Sequence, residues 1–246
     1  MTQRAVLITG GTSGIGRATA ELLSQQGYSV IVTGRNPDSI AAAERDFGDR
    51  ILVLRADAAS VQDSERVAEE IRTRFGSLHA VFLNAGISGS MPVGTVTEED
   101  WARYFDINAK GQFFTLQSVL PLLADGASVV FTVGVGVLRG MPGGSVVSAS
   151  RGALLAMVPS LAVELAPKGI RVNAVSPGAI ETPIWGKSGM PAEAVSEVLE
   201  GMAARVPLGR VGAPGDIAET VAFLVSDGSS YITGQNIVVG GGVEIA

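Results

Sequence analysis

Residues 5–16 read AVLITGGTSGIG, and the helical pattern RATAELLSQQG follows at once. A short apolar run that ends in glycines and opens into a helix is a strand, a tight turn and a helix start. Such a turn gathers backbone N–H groups at the positive end of the helix dipole, where a pyrophosphate would be held. The glycines stand as Thr9-Gly10-x-x-x-Gly14-x-Gly16, a spacing distinct from G-x-G-x-x-G.

Outward from this turn, strand-length apolar runs alternate with longer helical patterns. The runs are AVLIT near 5, SVIVT near 29, ILVLR near 51, LHAVFLN near 78, SVVFTV near 128, IRVNAVS near 170 and NIVV near 236. Between them lie RATAELLSQQG, PDSIAAAERDFG, SVQDSERVAEEIRTRFG, a long helical segment from Thr97 to Ala124, another from Gly144 to Ala166, and APGDIAETVAFLVS. Gly27 and Gly76 read as helix C-caps, and Ser60 with Asp63 as a capping box. The alternation predicts an α/β fold: a doubly wound, seven-stranded parallel sheet flanked by helices, with ligands beyond the carboxyl ends of the strands. The irregular stretch from Pro177 to Pro191, which carries Trp185, reads as a lid over that edge.

The chain has 246 residues, 46% hydrophobic and 17% charged, with 32 glycines, which suits one buried parallel sheet and a single domain over 1–246. A formal charge of −6 gives no general attraction for nucleic acid or anionic lipid, so a small-molecule substrate is the expected partner. No cysteine is present and His79 is the only histidine, which argues against thiolate or histidine-rich metal sites and cysteine nucleophiles. No long apolar leader opens the chain and no run of 18 apolar residues follows, so a cytoplasmic location is expected.

The TGxxxGxG turn is joined by Asn84-Ala85-Gly86 after the fourth strand, Asn108 in DINAKG, VNAVSPG at 172–178 followed by Thr182, and the C-terminal ITGQNIVVGGG. With these motifs, nearly the whole chain resembles the short-chain dehydrogenase/reductase family. The resemblance implies a Rossmann domain, a nicotinamide cofactor across the strand ends, and a homotetramer or dimer built through the two long helices. It places Gly10, Thr12, Ser13 and Ile15 around the phosphates, Asn84, Ala85 and Gly86 at the adenosine ribose, and Asp57 with Ala58 at the adenine edge. Pro177, Gly178, Ile180 and Thr182 would hold the carboxamide end.

The end of the second strand, VTGRN, bears on the choice of cofactor. Gly34 stands where an acidic side chain would pair with a ribose 2′-hydroxyl and repel a 2′-phosphate, and Arg35 and Asn36 follow. A guanidinium there suits a phosphate, so NADP(H) is expected ahead of NAD(H).

In the family a tyrosine exchanges a proton with the substrate oxygen, a lysine one turn later lowers that tyrosine's pKa, and a serine orients the oxygen. Aligned on SASRG, Val147 takes the tyrosine position and Arg151 the lysine position; thirteen residues before Val147, Gly134 takes that of the serine. Of the four usual catalytic positions only Asn108 is kept, with Arg151 as the remaining charge. Tyr28, Tyr104 and Tyr231 are the only tyrosines, and none lies near this helix start. An alkoxide forming from a ketone would lack its donor. The expected reaction is hydride transfer to a preactivated electrophile such as an imine or iminium, in a pocket of Gly134, Val135, Met141, Val147 and Trp185. The alternative is a cofactor-binding protein without redox turnover, serving as a regulator, a scaffold or a non-redox catalyst.

Overall fold

The computed structural model describes residues 4–182 and 192–246. Its first strand, β1 (Ala5–Ile8), is buried along its whole length, as a strand covered on both faces requires. The chain continues through α1 (Gly14–Gln25), β2 (Ser29–Gly34), α2 (Pro37–Phe47), β3 (Ile51–Arg55), α3 (Val61–Phe75) and β4 (Leu78–Leu83). There follow α4 (Glu98–Phe105), α5 (Gly111–Val119), β5 (Leu123–Thr132), α6 (Ser145–Leu165), β6 (Arg171–Pro177), α7 (Ala192–Ala203), α8 (Pro214–Val225) and β7 (Asn236–Val239). The seven strands form one parallel sheet in the order β3-β2-β1-β4-β5-β6-β7, as expected from the alternation. The order reverses between β1 and β4, so a crevice opens at their carboxyl ends.

Each face of the sheet has its own core. Val67 and Ile71 of α3, Leu116 of α5 and Leu154 and Val158 of α6 cover one side. Ala20 and Leu23 of α1, Phe47 of α2 and Ile217 and Val221 of α8 cover the other. Val133, at the end of β5, belongs to the first core rather than to an open pocket.

The helical segment expected from Thr97 to Ala124 is formed from Glu98 to Val119, with a π turn over Asp106–Lys110 joining α4 to α5; it ends in a 3-10 turn at Pro121, and Ala124 already belongs to β5. Two features accompany the π turn and the end. A Cβ on Gly111 would lie 1.9 Å from the Ala58 carbonyl oxygen, so α5 is pressed against the loop after β3. Pro121 has no N–H with which to continue a helix.

The capping box at α3 is also altered. Ser60 caps the Asp63 N–H as expected, but the Asp63 carboxylate accepts from the Asp57 N–H at 2.7 Å instead of returning to Ser60. His79 accepts from the Ala5 N–H through Nδ1 at 3.3 Å, and burial lowers its pKa; it is a neutral clip between β4 and β1. Trp185 and residues 183–191 of the expected lid lie outside the described residues.

Candidate functional site

The phosphate turn is built by glycines that no other residue could replace cheaply. Gly10 and Gly14 have φ of +66° and +55°, and a Cβ on Gly16 would meet the Gly10 carbonyl oxygen at 2.4 Å. Ser13 occupies the N-cap of α1 with extended backbone, and its side chain makes no capping bond. The first turn of α1 carries no acid. Uncapped N–H groups, the dipole and room for close approach together form a cradle that fits a pyrophosphate. Thr12 is buried and Ile15 packs against the core, so the backbone of these residues, rather than their side chains, faces the cradle.

Asn84 joins this turn to the far side of the crevice. Its Nδ2 donates to the Thr9 carbonyl at 3.1 Å, and the Thr9 hydroxyl accepts from the Asn84 and Ala85 N–H groups. Its Oδ1 accepts from the Thr132 hydroxyl at 3.2 Å, and the Thr132 carbonyl accepts from Arg151 Nη1 at 2.7 Å. A relay thus runs from the phosphate turn through Asn84 and Thr132 to Arg151 on α6. Thr132 was not singled out from the sequence, because a lone threonine at a strand end carries no pattern; Thr9 was read only as the opening residue of TGxxxGxG.

Asp57 and Ala58 lie beyond β3 beside the adenine side of the cradle. Asp57 accepts from the Ala59 N–H at 3.0 Å and pairs with Arg35 at 3.3 Å. A Cβ on Gly34 would strike the Thr12 side chain at 2.6 Å, so an acidic side chain at 34 would displace Thr12. Arg35 is exposed, and Asn36 caps α2 by accepting from the Ser39 N–H at 3.0 Å.

Arg151 is buried, and its guanidinium lies against Gly86: a Cβ there would come within 1.7 Å of Nη2. No carboxylate among the described residues lies within 4 Å of it. Burial pushes its pKa down from the usual arginine range to about 10. It still stays protonated near neutrality and cycles no proton there.

Val147 stands one turn earlier on the same face of α6 and is partly buried. Asn108, fully buried in the π turn, accepts from the Ile87 N–H at 2.8 Å and donates to the Ile87 carbonyl and the Ser150 hydroxyl. Its side chain therefore holds the loop after β4 against α6. Gly134 has φ of +112° and nothing within 4 Å of where its Cβ would be. Val135 opens the turn after it, and Met141 is half exposed at the rim.

On the opposite wall, Gly178 donates its N–H to the Val239 carbonyl at 3.0 Å, Ile180 is buried and pairs with Gly212, and Thr182 follows. Pro177 closes β6. The predicted cofactor residues from the phosphate turn to Thr182 thus follow the carboxyl ends of the strands, with Asn108, Val147 and Arg151 on the helices beside them.

A family model described as Enoyl-(Acyl carrier protein) reductase matches residues 10–244. The 3-oxoacyl-[acyl-carrier-protein] reductase of Thermotoga maritima is 35% identical, with 98% of each chain covered. A cyclohexanol dehydrogenase from an Acinetobacter species is 34% identical over 97% of this chain and 94% of its own. Among solved structures, a short-chain dehydrogenase/reductase of Brucella melitensis superposes with a TM-score of 0.91 at 35% identity, covering 98% of this chain and 96% of its own. Levodione reductase superposes with a TM-score of 0.90 at 31% identity, covering 100% and 99%.

Proposed function

Because the chain belongs to the short-chain dehydrogenase/reductase family, whose members use nicotinamide cofactors, we propose that it is an NADP(H)-dependent reductase of a preactivated electrophile, an imine or iminium. One observation carries the reading: a glycine cradle that fits a dinucleotide stands beside a site where Val147, Gly134 and a buried, permanently charged Arg151 offer no exchangeable proton. The cofactor would supply a hydride. A cationic C=N carbon accepts hydride without becoming an alkoxide, so positioning against an apolar wall suffices.

The chain's own residues divide the work. The N–H groups at 10–16 would bind the pyrophosphate, Asp57 and Ala58 the adenine edge, and Gly178, Ile180 and Thr182 the carboxamide. Arg151, with Nη1 fixed on Thr132, would present its remaining donors from the Gly86 side. Arg35 would leave Asp57 to grip a 2′-phosphate. Arg35→Ser is expected to weaken NADPH binding about tenfold, the low end for an exposed charge-assisted contact, and to leave NADH binding unchanged in a paired titration.

The exposed apolar side chains of Val163 on α6 and of Phe223 and Tyr231 suit a homo-oligomer, and a cytoplasmic location fits the reading. The reaction is tested by NADPH oxidation with a panel of cyclic imines and the matching ketones. Oxidation with imines and little with ketones is expected. A protein that NADPH stabilises against heat but that oxidises it with no imine is instead a binding protein without redox turnover.

A further inference from the structure

The ends of β2 and β3 set two opposite charges side by side. Gly34 pairs with Arg55 in the parallel register and the Ala56 N–H donates to the Gly34 carbonyl at 2.9 Å, so Arg35 and Asp57 both leave the sheet at its carboxyl edge. Arg35 Nη1 donates to Asp57 Oδ2 at 3.3 Å. Both side chains stay open to solvent, at 63% and 37% exposure.

The two partners differ in freedom. Asp57 is fixed by three bonds: its Oδ1 accepts from the Ala59 N–H at 3.0 Å, its N–H donates to the Asp63 carboxylate at 2.7 Å, and its carbonyl accepts from the Ser60 N–H at 3.0 Å. The Arg35 guanidinium has Asp57 as its one partner among the described residues. The polar side chains next to it are bound to one another. Asn36 accepts from the Ser39 N–H, the Ser39 hydroxyl donates to the Asn36 carbonyl at 3.0 Å, and the Thr12 hydroxyl donates to Ser39 at 3.4 Å. Arg35 is thus a movable cation resting on an immobile anion.

We propose that Asp57 sets the balance between the two nicotinamide cofactors by holding Arg35 back from the 2′ position of the adenosine ribose. This rests on the reading of Arg35 as the 2′-phosphate residue and deepens it. A cofactor with a 2′-phosphate has to draw the guanidinium off a carboxylate that cannot follow, and it leaves that carboxylate uncompensated. A cofactor with a 2′-hydroxyl leaves the pair intact. The ion pair therefore narrows the preference for NADP(H) that an unrestrained arginine would give, and keeps NAD(H) usable.

The test is a paired calorimetric titration of NADPH and NADH into the parent, Asp57→Asn, Arg35→Ser and the double variant. Asparagine keeps the oxygen that accepts from the Ala59 N–H and removes the charge. The ratio of the NADH Kd to the NADPH Kd is expected to rise about three- to fivefold in Asp57→Asn, the upper part of the range for an exposed ion pair. A lost contact to the adenine edge weakens both cofactors together and leaves this ratio unmoved. With Arg35→Ser already in place, Asp57→Asn should move the ratio by less than about twofold. An unchanged ratio in Asp57→Asn overturns the proposal. So does an equal rise with and without Arg35, which would assign the effect to direct repulsion between Asp57 and the phosphate. Failure of the underlying reading looks different: Arg35→Ser then leaves the parent's ratio unchanged, which removes the 2′-phosphate contact and the proposal with it.

Discussion

Replacing Val147 by Tyr and Arg151 by Lys together is expected to raise the reduction of a simple cyclic ketone by about 10²- to 10⁴-fold, the usual contribution of a positioned general acid. The phenol would stand on the helix face that already carries residue 151, and the lysine would supply the charge that eases its ionisation. Gly134→Ser is a poorer third change than the alignment suggests. Nothing blocks the hydroxymethyl group, but φ of +112° is a glycine conformation, and forcing it on serine costs about 1–3 kcal/mol. The triple variant should therefore melt several degrees below the double. NADPH absorbance with cyclohexanone, together with a thermal melt, measures both. A parent protein that reduces the ketone as fast as the double variant would remove the basis for a missing acid.

Arg151→Met is expected to make the protein more heat-stable and less active. Burial lowers the arginine pKa to about 10, a cost on the order of 3 kcal/mol for keeping the charge inside. Against this stands the single bond to the Thr132 carbonyl, worth about 1.5–3 kcal/mol, the range for bonds to a charged group. Methionine fills a similar volume without the charge, so a net gain of about 1 kcal/mol, or about 2–4 °C in Tm, should follow. The pH dependence has a definite sign. The folded pKa lies below the unfolded one, so the penalty is complete below about pH 10 and is relieved only as the pH climbs above it. Turnover should fall by about 100-fold, the upper end for a buried charge-assisted contact. A lower Tm with unchanged turnover would make Arg151 a structural residue.

The sheet and the phosphate turn were legible in the sequence because both rest on local rules. Alternation of strand and helix periods sets the layers, and glycine at 10, 14 and 16 marks a tight turn from a strand straight into a helix start. The π turn inside the 97–124 helix was not legible, since Gly111 beside it meets the Ala58 carbonyl, a contact between residues far apart in the chain. The alignment that sets Val147 at the family's tyrosine position needs only local spacing, but the environment of Arg151 could not be read. Its slot is made by Thr132 on β5 and Gly86 after β4, which meet only once the sheet is assembled.

The close fit of Arg151 on Gly86 also restricts the order in which this site can change over evolutionary time. While the guanidinium is tethered to Thr132, a side chain at 86 would meet it, so a change at 86 requires the arginine end to move and give up that bond. The two positions are therefore coupled, and a shorter residue at 151 would free position 86 to vary.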